Sequence, residues 1–345
     1  MDSISFNIPA AVIAGFLISM LLGKALIPML RRLKAGQSIK EDGPTWHMAK
    51  QGTPTMGGLM FIAATVIVTA VLNLRALSVW GGKGAWTWLA VLAFALVFGI
   101  IGFVDDYAKV KKKENTGLTA AQKFLLQLAA AILFIVVLRK LGILSPDLYV
   151  PFFGVRWHLP WAAYLVFAAF VITGTVNSVN ITDGVDGLAA GVTMPVCAFF
   201  TAAFAYGTIR WNQPGGFGMT ILAAALFGAL GGFLVHNFHP AKVFMGDTGS
   251  LFLGGMVCGM AFALDIPLIL VLVGIIYIAE TMSDIIQVSY FKATHGKRVF
   301  RMAPLHHHLE MGGWSEAKLF FVFSGITLVC CVIALAGVIG RYPAA

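Results

Sequence analysis

The chain has 345 residues, of which 59% are hydrophobic and 11% charged, with a mean hydropathy of +0.87. A soluble domain carries roughly 25% charged residues, so the composition excludes a water-soluble enzyme and describes an all-α polytopic membrane protein. The formal net charge of +9 is not a nucleic-acid signal, because the basic residues follow the apolar segments instead of gathering in one patch.

A helix needs about 20 apolar residues to cross a bilayer, and about ten segments qualify: 8–30, 54–73, 86–104, 124–143, 159–177, 188–208, 217–236, 249–264, 266–291 and 318–340. The first is too long for the apolar core of a signal peptide and lacks a basic leader. A polar stretch, Lys50 to Gly58 (KQGTPTMGG), leads into the second. The third runs straight into Asp105-Asp106-Tyr107-Ala108-Lys109. Two adjacent carboxylates at a helix C-terminus face the negative end of its dipole and repel each other, so a cation is expected beside them.

Between the fourth and fifth segments, 144–158 alternates around Pro151 and Gly154 and predicts a short β-hairpin. The fifth segment ends in the polar cluster Asn177 to Gly187 (NSVNITDGVDG), read as a loop. His236 to Ser250 joins the seventh and eighth segments. The ninth carries Glu280 and Asp284 and is expected to bend, and Pro304 to Glu310 (PLHHHLE) follows it. The whole chain, 1–345, reads as one integral-membrane domain. Cys197, Cys258, Cys330 and Cys331 all fall in apolar segments, without metal or disulfide spacing.

Sorting the loops by charge gives an orientation. The loops after the first, third, fifth, seventh and ninth segments hold sixteen Lys and Arg, against seven on the opposite side. The positive-inside rule puts the sixteen in the cytoplasm and both termini outside. The predicted hairpin is then periplasmic. Every unusual polar cluster falls in the five cytoplasmic loops, which suits one site assembled from segments far apart in sequence.

The donor types point to a metal. Asp105, Asp106, Asp183, Asp186, Asp247, Asn180 and Asn237 offer hard oxygen with no cysteine among them, which favours Mg²⁺ or Mn²⁺ over Zn²⁺. Magnesium held by few carboxylates usually bridges phosphates, and Lys50, Lys109, Lys123 and Lys242 stand ready for further phosphate oxygens. Gly246 to Ser250 opens the eighth segment, whose first amides suit an anion. Simpler roles compete. Asp183 and Asp186 beside glycines suit Asx turns, Asp247 suits a helix N-cap, and Lys111 to Lys113 suit an inner-face anchor. Three successive histidines cannot converge on one helix face. Phe244 fits base stacking or plain loop anchoring. His158 and His295 read as ordinary loop histidines, and Trp46 and His47 as interfacial. Turns and caps leave unexplained why every Asp cluster shares one side.

The motifs KQGTPTMGG, DDYAK, NSVNITDGVDG, FHPAKVFMGDTGS and PLHHHLE together resemble the phospho-N-acetylmuramoyl-pentapeptide-transferases (the MraY family), within the polyprenyl-phosphate N-acetylhexosamine-1-phosphate transferases, over essentially the whole chain. The resemblance implies transfer of phospho-MurNAc-pentapeptide from UDP-MurNAc-pentapeptide to undecaprenyl phosphate, giving lipid I and UMP for peptidoglycan. It implies Mg²⁺ on Asp247, reacting phosphates beside Asp105 and Asp106, and a polar site shaped by Asn180, Asp183 and Asn237. It places uridine near Lys50, Gly184, Asp186 and Phe244, and phosphates near Lys109 and Lys123. His306 is implied in activity, with His307, His308 and Gln287 on the substrate side. A bacterial inner-membrane location and a homodimer are further implications.

The chemistry expected is attack by a lipid phosphate oxygen on the β-phosphorus, with Asp105 as orienter or base. A covalent aspartyl-phosphate route remains open. Two alternatives stand beside this reading: a sister transferase using UDP-N-acetylglucosamine, and an ion-coupled transporter built on Glu280 and Asp284.

Overall fold

The computed structural model describes residues 2–33, 50–77, 86–112, 116–211, 213 and 215–341. Lys34, Lys40, Trp46, His47, Lys83 and Lys113, used above for anchoring or orientation, lie outside the described residues. The helices in chain order are α1 (Asp2–Arg32), α2 (Gly58–Leu77), α3 (Thr87–Lys112), α4 (Ala120–Lys140), α5 (Trp161–Thr182), α6 (Leu188–Trp211), α7 (Gly216–Asn237), α8 (Gly246–Ala263), α9 (Leu270–Val273), α10 (Ile275–Ala293), α11 (Leu305–Glu310) and α12 (Glu316–Arg341). Each of the ten predicted apolar segments contains a helix. Among the described residues, seven helices are long and apolar enough to cross a membrane: α1, α3, α4, α5, α6, α7 and α12. The ninth segment is bent by 81° at Gly274, between α9 and α10, and would be an eighth span if taken as one. The remaining two are α2, whose apolar part is short, and α8, 18 residues with a polar first turn.

The bundle closes around α8. Every residue from Thr248 to Ala263 is buried, so this helix is covered by its neighbours. It lies along α3, where Gly102 has no room for a Cβ because the Asp247 backbone occupies that space. On the far side α7 lies along α1. Gly228 and Gly232, four residues apart, meet the backbones of Val12 and Phe16 in the same way. Without a hydrophobic driving force between helices in lipid, such small-residue contacts let backbones approach and gain dispersion energy. Cys197, Cys258 and Cys331 are buried and Cys330 partly so, all four as free thiols.

The predicted hairpin is present. β1 (Asp147–Val150) pairs antiparallel with β2 (Val155–His158), Asp147 opposite His158 and Val150 opposite Val155.

Two expectations about helix ends are corrected. The acidic pair does not end α3, which continues to Lys112, about two turns farther. Lys109 grips Asp105 one turn on, at 2.6 Å, and the basic last turn suits the dipole there. Likewise Asn177 to Thr182 is helix, not loop. Asn177 donates to the Thr173 carbonyl at 2.8 Å, Ser178 to Gly174 at 2.8 Å and Thr182 to Ser178 at 2.8 Å. This back-bonding satisfies polar side chains inside the helix, so polarity alone did not mark its end.

Candidate functional site

Chain alternation brings the end of α3, the start of α4, the end of α5 and the start of α8 together, and their charged groups meet there. Asp247, in the first turn of α8, is the hub. Its Oδ2 accepts from Lys123 at 2.9 Å and from Lys109 at 3.1 Å. Its Oδ1 accepts from Asn180 at 2.7 Å, and the same amide reaches Ser250 at 2.7 Å. Burial opposes the Asp247 charge, but a hydrogen bond with Asp105 and the ammonium groups of Lys123 and Lys109 hold its carboxyl well below the usual carboxylate range. Lys123 is delivered by α4, whose start is fixed by a capping box between Thr119 and Gln122.

Asp105 and Asp106 are both 3% exposed but have different partners. Asp105 accepts from Lys109 and, at 2.7 Å, from the Leu118 N–H. Asp106 accepts the N–H of Asp247 at 3.2 Å, the N–H of Thr248 at 2.9 Å and the Thr248 hydroxyl at 2.7 Å. The anion expected at the first amides of α8 is therefore the protein's own. Met245, the N-cap position, makes no side-chain cap bond, and Asp247 lies inside the helix, so its simpler reading as N-cap fails. Asp106 does that work from another helix. The turn leading in needs Gly246, which sits at φ +69 against Asp106 and Thr55.

Carboxylate oxygens of Asp105, Asp106 and Asp247 lie within 4.8 Å of one another, close enough to share one metal ion. Asp183, just past α5, adds a fourth carboxyl to this field. Burial, then the charges of Asp247, Asp106 and Asp186, push its carboxyl well above the usual range. The carboxylates of Asp105, Asp106 and Asp247 face Lys109 and Lys123, a formal surplus of one negative charge, and offer only hard oxygen. That donor set fits Mg²⁺ or Mn²⁺.

Asp186 belongs to a second cluster. Lys50 bonds Asp186 at 2.7 Å and Glu316 at 2.6 Å. His239 bonds Asp186 at 3.0 Å and lies 3.5 Å from Glu316. The backbone N–H groups of Asp186 and Ala241 complete it, donating to Glu316 and Asp186 at 3.0 and 2.9 Å. A third, smaller contact pairs two buried groups. His306 Nδ1 meets Glu280 at 2.9 Å, and the ring of His306 fills the space a Cβ on Gly184 would need.

The other expected site residues are placed less centrally. Asn237 donates to the Val243 carbonyl at 2.9 Å and so closes the loop ahead of α8. Phe244 is half-buried, and its backbone pairs with Pro54 and Gly57. Gln287 accepts from the N–H groups of Val299 and Phe300 at 3.1 and 2.9 Å. His307 bonds Glu310 at 2.7 Å, and His308 accepts from the Arg301 N–H at 3.1 Å. The three histidines thus have three different partners. Sequence reading missed Glu316, gave Thr248 no role beyond its place in the Gly246 to Ser250 stretch, and saw in Glu280 only a transport carboxylate. No local spacing links Glu316 to Lys50, 266 residues away. Thr248 carried a signal, being a hydroxyl in the first turn of a helix with no capping side chain of its own.

A model described as glycosyl transferase family 4 matches residues 88–265, and one described as phospho-N-acetylmuramoyl-pentapeptide-transferase signature 1 matches residues 50–62. A phospho-N-acetylmuramoyl-pentapeptide-transferase of Clostridium acetobutylicum is 44% identical over 95% of this chain and 98% of its own length. One of Geobacillus thermodenitrificans is 46% identical over 94% and 96%, and one of Listeria monocytogenes 44% identical over 94% and 96%.

Proposed function

The chain belongs to the phospho-N-acetylmuramoyl-pentapeptide-transferase family, and on that premise we propose that it transfers phospho-MurNAc-pentapeptide from UDP-MurNAc-pentapeptide to undecaprenyl phosphate. It is then a glycosyl-1-phosphate transferase of the bacterial inner membrane, releasing UMP and forming lipid I for peptidoglycan. The observation that carries the reading is where the signature falls. Residues 50–62 supply Lys50 to the second cluster and Thr55 to the turn beside Asp106, so the family-specific segment touches both clusters. The cluster-bearing face is read as cytoplasmic from the positive-inside balance.

Both reactants are anions, so their repulsion is the barrier to lower. A non-bridging oxygen of the lipid phosphate forms the new P–O bond to the β-phosphorus, while the bond to the α-phosphate oxygen breaks and UMP keeps its electrons. Lys109 and Lys123 each have three N–H donors and can turn part of that set to phosphate oxygens. Asp105, held by Lys109 and the Leu118 N–H, orients the acceptor phosphate or takes its last proton. That proton has a pKa near 6, so base catalysis adds modestly at neutral pH. Asp247, with Asp105 and Asp106, would hold Mg²⁺, which when bound neutralises pyrophosphate charge. Asp106 serves through the start of α8.

The test is UMP release by purified protein with undecaprenyl phosphate and either UDP-MurNAc-pentapeptide or UDP-N-acetylglucosamine. Release from the first alone is expected. Release from the second alone overturns the substrate, and release without lipid acceptor overturns direct attack.

A further inference from the structure

Glu316 is the least expected member of the site. It opens α12, beyond the last recognisable motif, and is 9% exposed. Its carboxylate accepts Lys50 Nζ at 2.6 Å and the Asp186 N–H at 3.0 Å, with His239 Nδ1 at 3.5 Å. One side chain thereby ties four distant stretches: the lead into α2, the α5–α6 turn, the α7–α8 loop and the first turn of α12. The positive end of the α12 dipole favours its charge.

The cluster has the proximity of a metal site, since Asp186, His239 and Glu316 offer atoms within 4.8 Å. With an imidazole among its donors and the Lys50 ammonium between its two carboxylates, it fits a hard cation less well than the all-carboxylate cluster does. Two of the three Lys50 donors are directed at Asp186 Oδ1 and Glu316 Oε2, which fixes the direction of the third. We propose that Glu316 is a positioning residue for the nucleotide. It sets the direction of Lys50's remaining N–H donor and the backbone of the Asp186 turn, and so acts on binding of the uridine diphosphate end and not on phosphoryl transfer. The inference rests on the transferase reading above, together with the implication of the sequence motifs that uridine lies near Lys50 and Asp186.

The experiment has two arms on the full-length enzyme in detergent. Calorimetric titration with UMP tests binding without turnover. Steady-state assays separate KM from kcat for each substrate. Glu316→Ala is expected to weaken UMP binding and raise the nucleotide KM about tenfold, with kcat within about threefold and the lipid-phosphate KM unchanged. Glu316→Gln keeps an acceptor for the Asp186 N–H and is expected to restore part of the loss, and it serves alone should the alanine variant not fold. Unchanged UMP affinity and KM in the variants overturn the inference, as does a loss confined to kcat or a shift in lipid KM. If the unmodified protein neither binds UMP nor releases it, the transferase reading itself fails.

Discussion

The two carboxylate clusters flank the same turn, Asp183 to Gly187, and both bring metal-ligating atoms within 4.8 Å. They differ in how their charge is met. Around Asp247, the carboxylates of Asp105, Asp106 and Asp247 face Lys109 and Lys123. Around Asp186, two carboxylates share one lysine and an imidazole, with backbone N–H groups filling the remaining acceptors. Proximity of ligand atoms therefore does not distinguish a metal centre from an internal ion network. Nor does net charge, since each cluster has one carboxylate more than it has lysines; the donors do, because the first offers three carboxylates and the second two with an imidazole, and a hard cation prefers oxygen.

That contrast can be broken most directly at Asp247. Asp247→Asn is expected to lower UMP release by about a thousandfold or more, the scale of losing a principal electrostatic group. Magnesium titration of the residual rate should show weaker dependence. Near-normal turnover in this variant would mean that the cation sits elsewhere.

The adjacent aspartates sharpen the comparison from within one cluster. Asp106→Ala strands two backbone donors and a hydroxyl at the start of α8, and is expected to destabilise the protein by about 1–3 kcal/mol. Asp105→Ala strands one N–H and should lower the thermal midpoint less, although both lose activity. Equal midpoints for the two variants would remove the capping role of Asp106.

Gly184→Ala probes the turn that the clusters share. The new Cβ overlaps the ring of buried His306, and overpacking of this kind costs roughly 1–3 kcal/mol. A lowered thermal midpoint with reduced turnover is expected. Wild-type values in both would show that His306 can retreat.

The smallest expected effect is a gain. Because the Asp183 carboxyl is held well above its usual range, the folded state prefers it protonated, and its ionisation opposes folding. That penalty is absent below the ordinary carboxylate range near pH ~4 and grows as pH rises above it. In chelator, Asp183→Asn is therefore expected to melt higher than the parent at pH 7. The difference should shrink as the pH falls toward that range. A variant that melts lower at neutral pH would reverse the sign assigned to the Asp183 ionisation.

Much of this was legible in the residues. Ten apolar segments announced ten helical regions and Pro151 and Gly154 announced the hairpin; the ninth segment bends as expected, but at Gly274 and not at Glu280 or Asp284, which lie within α10. The motif residues Asp105, Asp247, Lys109, Lys123 and Asn180 were expected together and do meet. Helix ends were misread wherever polar residues continue a helix, at Asp105 and at Asn177, because hydropathy cannot see an i,i+4 ion pair or a side chain bonded to its own backbone.

By itself the sequence determined the class, the helical segments and the oxygen-rich donor set. These follow from composition and from periodicity within single segments, which are local properties. Only the tertiary structure decided how the acidic groups divide. Asp105 and Asp247 share Lys109, Asp106 lies beside them and caps a helix it does not belong to, and Asp186 shares Lys50 with a glutamate 130 residues away. The physical reason is that charge balance depends on distances between segments remote in the chain, and those distances are fixed by helix packing.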